Sequence, residues 1–353
     1  MPKHPENPTA QPTDTAKHHT GAHPATQPAT TASQPAGNPI ELSANNPQEI
    51  SADTFVAEVD QLEPDTPPAG MWMEAWRRLR VRPLFWISVT IIVLVLLIAA
   101  FPGLFTHIDP TEGNLLNSLE NAKPGHPFGF TQQGYDVYAR VIYGARASVV
   151  VGISVTLFVT LIGVLMGALA GYYGGFLDSL LSRITDIFFA IPLLLAGIVL
   201  MQLFPQRTIG TVILVLSVFG WSQMARVVRG AVITAKNNDY VLAARAVGKS
   251  RLSILFTHVL PNCLAPIIVM ATTSLGVFIV AEATLSFLGI GLPSTTISWG
   301  NDISVAQQTL RQAPLTLFWP SLALALTVLG FILLGDALKD ALDPKEQRRG
   351  RKG

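Results

Sequence analysis

The chain has 353 residues, of which 49% are hydrophobic and 13% are charged, and its formal net charge is +1. The charged share is about half of the ~25% that is usual in a soluble domain, and the near-neutral balance gives no general attraction to nucleic acid. Cys263 is the single cysteine, which excludes an internal disulfide.

Residues 1–70 are rich in Pro, Thr, Ala, Gln and Asn and poor in aromatic residues. Such a composition buries too little apolar surface to offset the entropy of ordering, so we expect a disordered N-terminal tail. No apolar core of a secretory signal peptide occurs within it. Its histidines are spaced irregularly, without supporting cysteines or an acidic cluster, so we expect no metal site there: His4, His18, His19 and His23.

Six apolar runs follow, at about residues 84–105, 146–170, 179–204, 208–228, 263–290 and 315–336. A bilayer core ~30 Å thick needs about 20 such residues in a helix, and each run is long enough. The sequence therefore predicts an all-α membrane protein with about six transmembrane helices.

Lys and Arg are distributed unevenly between the loops if the runs alternate across the membrane. With the N-terminus inside, the outside segments hold Lys123, Arg140, Arg146, Arg207 and Arg311. The inside segments hold a larger set: Arg77, Arg78, Arg80, Arg82, Arg226, Arg229, Lys236, Arg245, Lys249, Arg251, Lys339, Lys345, Arg348, Arg349, Arg351 and Lys352. Because positive residues favour the cytoplasmic side, both termini and the segment 229–262 are expected there.

That segment contains DYVLAARAVGKSRLSILFTHVLPN, residues 239–262. Asn238 or Asp239 is suited to begin a helix, Gly248 to end it in the left-handed conformation, and Ser250 to begin a second helix. We expect two short helices at an angle, the first of about ten residues, with small alanines on an exposed face.

The segment resembles the "EAA" cytoplasmic loop of bacterial ABC-importer permeases, in which Glu-Ala-Ala is followed by Gly and later by Leu-Pro. The matching positions are Leu242, Ala243, Ala244, Gly248, Leu260 and Pro261, with Leu242 in place of the glutamate. The resemblance implies coupling helices that dock into an ATPase subunit. The residues expected at that site are Asp239, Tyr240, Ala243, Ala244, Arg245, Gly248, Leu260 and Pro261.

Two other stretches, 126–152 and 282–300, and the end of the last run are similar to the C-type permease of dipeptide and oligopeptide importers. The resemblance covers residues 72–345 and implies the type I ABC-importer (MetI-like) permease fold. It divides the chain into the tail 1–70, a first transmembrane helix with an external loop at 71–134, a permease transmembrane domain at 135–345, and a basic tail at 346–353.

The resemblance further implies a multi-pass protein of the bacterial plasma membrane that forms half of a translocation path for di- or oligopeptides. Its implied partners are a second permease, two ATPase subunits that carry ATP and Mg, an extracellular substrate-binding protein, the peptide and membrane lipid. Neither a cofactor nor a nucleic acid is expected on this chain, and no catalytic constellation indicates an enzyme. A permease for nickel or another small solute, or a secondary transporter, stays an alternative.

Ionisable residues at membrane depth are costly and therefore candidates for function. Glu282 either lines the translocation path or caps an internal break in its helix. Arg183 and Asp186 are three positions apart on one helix face, next to Asp178, so we expect a structural ion pair near the membrane surface.

Overall fold

The structure is a computed structural model that describes residues 71–342. The predicted tails, 1–70 and 346–353, lie outside these residues, and the division between 134 and 135 stays a prediction. The described part is helical and forms no strand, only the isolated bridges between Lys123 and His126 and between Phe130 and Asp136.

The helices, in chain order, are α1 Met71–Leu79, α2 Pro83–Ala100, α3 Val137–Tyr173, α4 Gly175–Ala190, α5 Leu193–Met201, α6 Ile209–Ala235, α7 Asp239–Ala246, α8 Arg251–Ile254, α9 Leu260–Asn262, α10 Leu264–Phe287, α11 Trp299–Ala306 and α12 Pro314–Leu342. Short 3₁₀ turns lie at Pro102–Leu104, Leu115–Asn117 and Gln307–Thr309, and a π-helical turn at Leu255–Val259 joins α8 to α9.

Five of these helices are long and apolar enough to cross a membrane: α2, α3, α6, α10 and α12. The third predicted run is instead a broken pair, since α4 and α5 meet at an angle of 77°. The break falls at Ile191 and Pro192, because a proline lacks the N–H that a continuous helix would use. The prediction of about six spans is confirmed when the pair counts as one.

The contacts of the broken pair show that it runs the length of the bundle. At its start, Asp178 of α4 is bonded by Arg229 near the end of α6. After it, Arg207 donates to the carbonyl oxygen of Gly289, which follows α10. The bundle therefore has an α7 end, where α7 to α9 lie, and an α11 end, where the 101–136 loop and α11 lie.

Helices α3 and α6 form the most extensive contact between two helices of residues 71–342. Gly163, Gly167 and Gly171 recur at every fourth position of α3, and a methyl group at any of them would collide with α6. Small residues at this spacing allow two membrane helices to approach closely. The largest cluster of buried side chains surrounds this crossing and includes Val159, Val228 and Val232.

Candidate functional site

Helix α7 has the boundaries that its sequence predicts. Asn238 precedes it in an extended conformation, but its side chain donates to the Tyr240 hydroxyl and caps no backbone N–H of the helix. At the other end Gly248 has φ +81°, its N–H donates to the Arg245 carbonyl at 2.9 Å, and the Lys249 N–H donates to the Ala244 carbonyl at 3.2 Å. This is the Schellman arrangement, so the prediction that Gly248 ends the helix in the left-handed region is confirmed.

The second short helix also begins as predicted, because the Ser250 hydroxyl accepts a hydrogen bond from the Ser253 N–H at 3.3 Å. The following residues widen into the π-helical turn Leu255–Val259 before α9. Such turns are rare and often occur at functional sites. Leu260 in α9 is half-buried and Pro261 is exposed.

The inner face of α7 holds it on the bundle through Val241 and Ala244, which are three positions apart and buried. They belong to the same buried cluster as Ile254 and Leu255 of the next segment. Ala244 was expected to face a partner, but its contact with the chain's own core leaves it 8% exposed. Of the two alanines, only Ala243 is accessible.

The outer face carries the other predicted residues, since Asp239, Tyr240, Ala243, Arg245 and Gly248 are all exposed. Accessible apolar side chains also lie on α7 and the segment after it, and of these only Tyr240 was predicted. This docking patch consists of Tyr240, Leu242, Val247 and Leu252, with Val247 81% exposed. Clustered apolar side chains that are accessible outside the membrane-spanning helices favour a contact with another protein.

A signal for the docking patch was present in the sequence. Leu242 stands where a glutamate is expected, and Val247 precedes the helix-ending glycine, so both were visible as apolar residues in a loop segment. Their exposure follows from which face α7 turns toward the bundle. That face is set by Val241 and Ala244.

Charged groups near the docking patch are held in place by their neighbours. The guanidinium of Arg245 lies 6.0 Å from the ring centre of Tyr172 at the end of α3. The Lys249 ammonium lies 3.0 Å from Nε2 of His258 in the π-helical turn. These contacts tie α7 and the turn after it to one another and to α3.

Ion pairs between α4 and α6 fix the α7 end of the bundle. Arg229 donates to both carboxylate oxygens of Asp178, at 2.5 and 2.8 Å, and Arg226 donates to Asp186 at 2.8 Å. The predicted pair of Arg183 with Asp186 is present at 3.9 Å, with Arg183 81% exposed. The shorter contact of Asp186 is therefore across helices.

Glu282 is fully buried inside α10. Its carboxylate accepts hydrogen bonds from the hydroxyls of Ser148 on α3 at 2.9 Å and of Ser286 at 2.8 Å. Because α10 is unbroken from Leu264 to Phe287, Glu282 caps no internal break. The bond to Ser148 joins α10 to α3, and a place for Glu282 in the translocation path stays a prediction.

A second buried charge lies at the α11 end. Arg140 of α3 donates from Nε and a terminal nitrogen to one oxygen of Asp302 on α11, at 2.8 and 2.5 Å. Burial raises the pKa of the Asp302 carboxyl, and the Arg140 guanidinium opposes that rise. Nearby, the indole of Trp299 donates to the Val141 carbonyl at 2.9 Å. These bonds hold α11 against the start of α3.

Within residues 71–342 no group of three or more His, Cys, Asp and Glu side chains is arranged to hold a metal ion. The histidine-containing tail lies outside this range.

Residues 163–348 match the family described as binding-protein-dependent transport system inner membrane component. Residues 70–124 match the N-terminal TM domain of oligopeptide transport permease C. Within residues 71–342 the matches cover α1, α2, the end of α3 and helices α4 to α12.

Curated relatives are similar over most of the chain. The oligopeptide transport system permease protein OppC of Bacillus subtilis (strain 168) is 38% identical over 78% of this chain and 90% of its own length. The dipeptide transport system permease protein DppC of the same strain is 39% identical over 80% of this chain and 88% of its own length. The glutathione transport system permease protein GsiD of Salmonella typhimurium (strain LT2) is 38% identical over 78% of this chain and 90% of its own length.

Among solved structures, an inward-facing form of the MetNI methionine ABC transporter is similar at a TM-score of 0.48 and 19% identity. The similarity covers 57% of this chain and 96% of that one.

Proposed function

The chain belongs to the binding-protein-dependent transport system inner membrane components, and we propose that it is the permease subunit of an ATP-driven importer of di- or oligopeptides. Its described helices give a multi-pass membrane protein with a bundle suited to form one side of a path. The relatives reported above carry oligopeptide, dipeptide and glutathione transport in their names. They support peptides over nickel as the cargo.

The partners in this proposal are a second permease, two ATPase subunits and an external binding protein. The docking patch supports the ATPase contact, because its apolar side chains are accessible on a segment whose inner face packs into the core of the bundle. ATP and Mg would bind to the ATPase subunits. This chain would supply a docking surface and half of the path, without catalysis of its own.

The proposed orientation places the α7 end in the cytoplasm. Both ends of the described chain would lie there as well, since α1 and the end of α12 share a buried cluster with Ala265 and Val269 at the start of α10, which follows α9. Lys and Arg are concentrated at the same end, as the positive-inside tendency requires. The α11 end would then face the binding protein.

The packing suggests how motion at the docking patch reaches the path. A push on α7 acts on Val241 and Ala244, which share a buried cluster with Val232 of α6. Helix α6 is in turn locked to α3 at the glycine crossing and to α4 by the Asp178–Arg229 pair. ATPase movement would therefore shift α3, α4 and α6 together and alternate the side to which the path opens.

The observation that carries the coupling role is the exposure of Val247, and it defines the experiment. Val247→Asp puts a charge into the docking patch at a position with an ordinary helical φ. The matched control is Leu116→Asp, which makes a comparable change at a side chain that is 86% exposed in the 101–136 loop at the other end of the bundle. Co-purification of the ATPase subunits and peptide uptake are measured for both variants.

We expect Val247→Asp to lose the ATPase subunits and uptake, while Leu116→Asp keeps the ATPase subunits. Gly248→Asp should behave like Val247→Asp, with added backbone strain from its positive φ. Retention of ATPases and uptake by Val247→Asp would exclude this docking surface. Peptide uptake by wild type in cells that lack the ATPase genes would instead indicate a gradient-driven carrier.

A further inference from the structure

Helix α1 precedes the first membrane-spanning helix and is fixed to the α7 end of the bundle. Its Ala75 and Leu79 are buried in a cluster with Ala337 and Ala341 of α12. The chain leaves helical geometry at residues 80–82, and Pro83 begins α2. Helix α1 is therefore a separate short helix placed where the chain enters the membrane.

The face of α1 beside the buried one is aromatic. Trp72 and Trp76, four positions apart, are about half exposed. Trp86 in the first turn of α2 is exposed as well, and its indole N–H donates to the Arg80 carbonyl at 3.0 Å. Tryptophan is enriched at the boundary between lipid tails and headgroups, because its ring is apolar and its N–H is polar.

Positive charge lies next to these indoles. Arg77 and Arg80 are exposed, whereas Arg78 reaches the Glu74 carboxylate at 3.5 Å and Arg82 is bonded to Asp340. Arginines beside an apolar helix face attract anionic lipid, and a guanidinium can donate two hydrogen bonds to one phosphate. The exposed Leu84 and Ile87 of α2 continue this surface toward the lipid.

We propose that α1 lies in the headgroup layer of the membrane and binds an anionic phospholipid, with Arg77 and Arg80 on the phosphate and Trp72 and Trp76 among the upper acyl carbons. The charge complementarity and the continuity with the lipid-facing surface of α2 favour lipid over a protein partner. This site goes beyond the transport role and does not depend on the identity of the cargo.

The test titrates the purified full-length chain in detergent with palmitoyl-oleoyl phosphatidylglycerol or phosphatidylcholine, and native mass spectrometry gives the affinity of the first bound lipid. The test variant is Arg77→Gln/Arg80→Gln. The matched control is Arg245→Gln/Arg251→Gln, which removes the same charge from exposed arginines near the docking patch. All substituted side chains are at the surface, so we expect both variants to fold.

Wild type should prefer phosphatidylglycerol by about fivefold for each contributing arginine. The α1 variant should lose this preference and the control should keep it. Trp72→Ala/Trp76→Ala should weaken both lipids equally, since the indoles contact the part that the two lipids share.

Two results would overturn the proposal: a wild type that binds both lipids equally, and an α1 variant that keeps the preference. If the variant that keeps the preference also no longer co-purifies with the second permease from membranes, α1 is assigned to a protein contact.

Discussion

The crossing of α3 and α6 gives a prediction whose magnitude follows from the structure. A methyl group added at Gly163 would lie 2.6 Å from Cβ of Met224 and 3.1 Å from the backbone nitrogen of Ala225. Ordinary contact begins at 3.4 Å, so the helices would have to separate by the difference, 0.8 Å. Neither atom belongs to the flexible end of a side chain, so the backbone itself must move.

Gly163→Ala has two opposing effects on stability. Overpacking of this kind costs about 1 to 3 kcal/mol. Replacing glycine by alanine in a helix stabilises the folded state by about 1 kcal/mol, because alanine has the higher helix propensity. The matched control is Gly230→Ala on α6, where a methyl group meets nothing within 4 Å and only the gain applies. The two variants should therefore differ by about 1 to 3 kcal/mol, the full overpacking cost.

The assay is unfolding of the purified chain in mixed micelles by increasing dodecyl sulfate, followed by circular dichroism. The midpoint for Gly163→Ala should lie clearly below that for Gly230→Ala, and Gly230→Ala should lie at or above wild type. Equal midpoints for the two variants would refute the inferred closeness of the α3–α6 crossing.

Three other sets of substitutions test charged groups by the same unfolding assay. Arg140→Met should lower the free energy of unfolding by about 3 to 5 kcal/mol because it leaves Asp302 buried without its partner. Adding Asp302→Leu should recover most of that loss, and no recovery would contradict a paired role. Arg229→Gln should lower the free energy of unfolding by about 1 kcal/mol or less, since solvent screens the partly exposed pair of Arg229 with Asp178. Arg183→Gln should have no measurable effect, and equal losses for the two variants would contradict this ranking. Glu282→Ala should lower the free energy of unfolding by about 1 to 3 kcal/mol because two buried serine hydroxyls lose their acceptor. Glu282→Gln should lower it by less, and an unchanged midpoint for Glu282→Ala would contradict the buried network.

Local rules predict the ends of α7 and α8 well, because Gly248 and Ser250 act through bonds to residues within a few positions. The apolar runs likewise predict the membrane-spanning helices, although α3 extends nine residues beyond the predicted start, from 146 to Val137. The apolar run ends where polar residues such as Arg140 appear. The helix continues through these residues, and Arg140 is hydrogen-bonded to Asp302.

Features that depend on tertiary contacts were not accessible from the sequence. Asp178 and Arg229 are 51 positions apart, so their pairing follows only from the packing of α4 on α6. The local sequence also does not determine whether a proline breaks a helix, because Pro192 lies at a sharp bend while Pro320 lies inside the continuous α12. Burial of Ala244 but not of its neighbour likewise depends on how α7 docks.

The bend between α4 and α5 has a thermodynamic consequence for the whole assembly. Helix termini leave backbone carbonyls without helical donors, and in hydrocarbon each such group costs several kcal/mol. Residues 189–192 at the bend are exposed on this chain. Irregular backbone at membrane depth is stable only where protein or water solvates it. The surface around Pro192 is therefore unsuited to lipid, and the chain reaches its lowest free energy when another subunit or an aqueous path covers that surface.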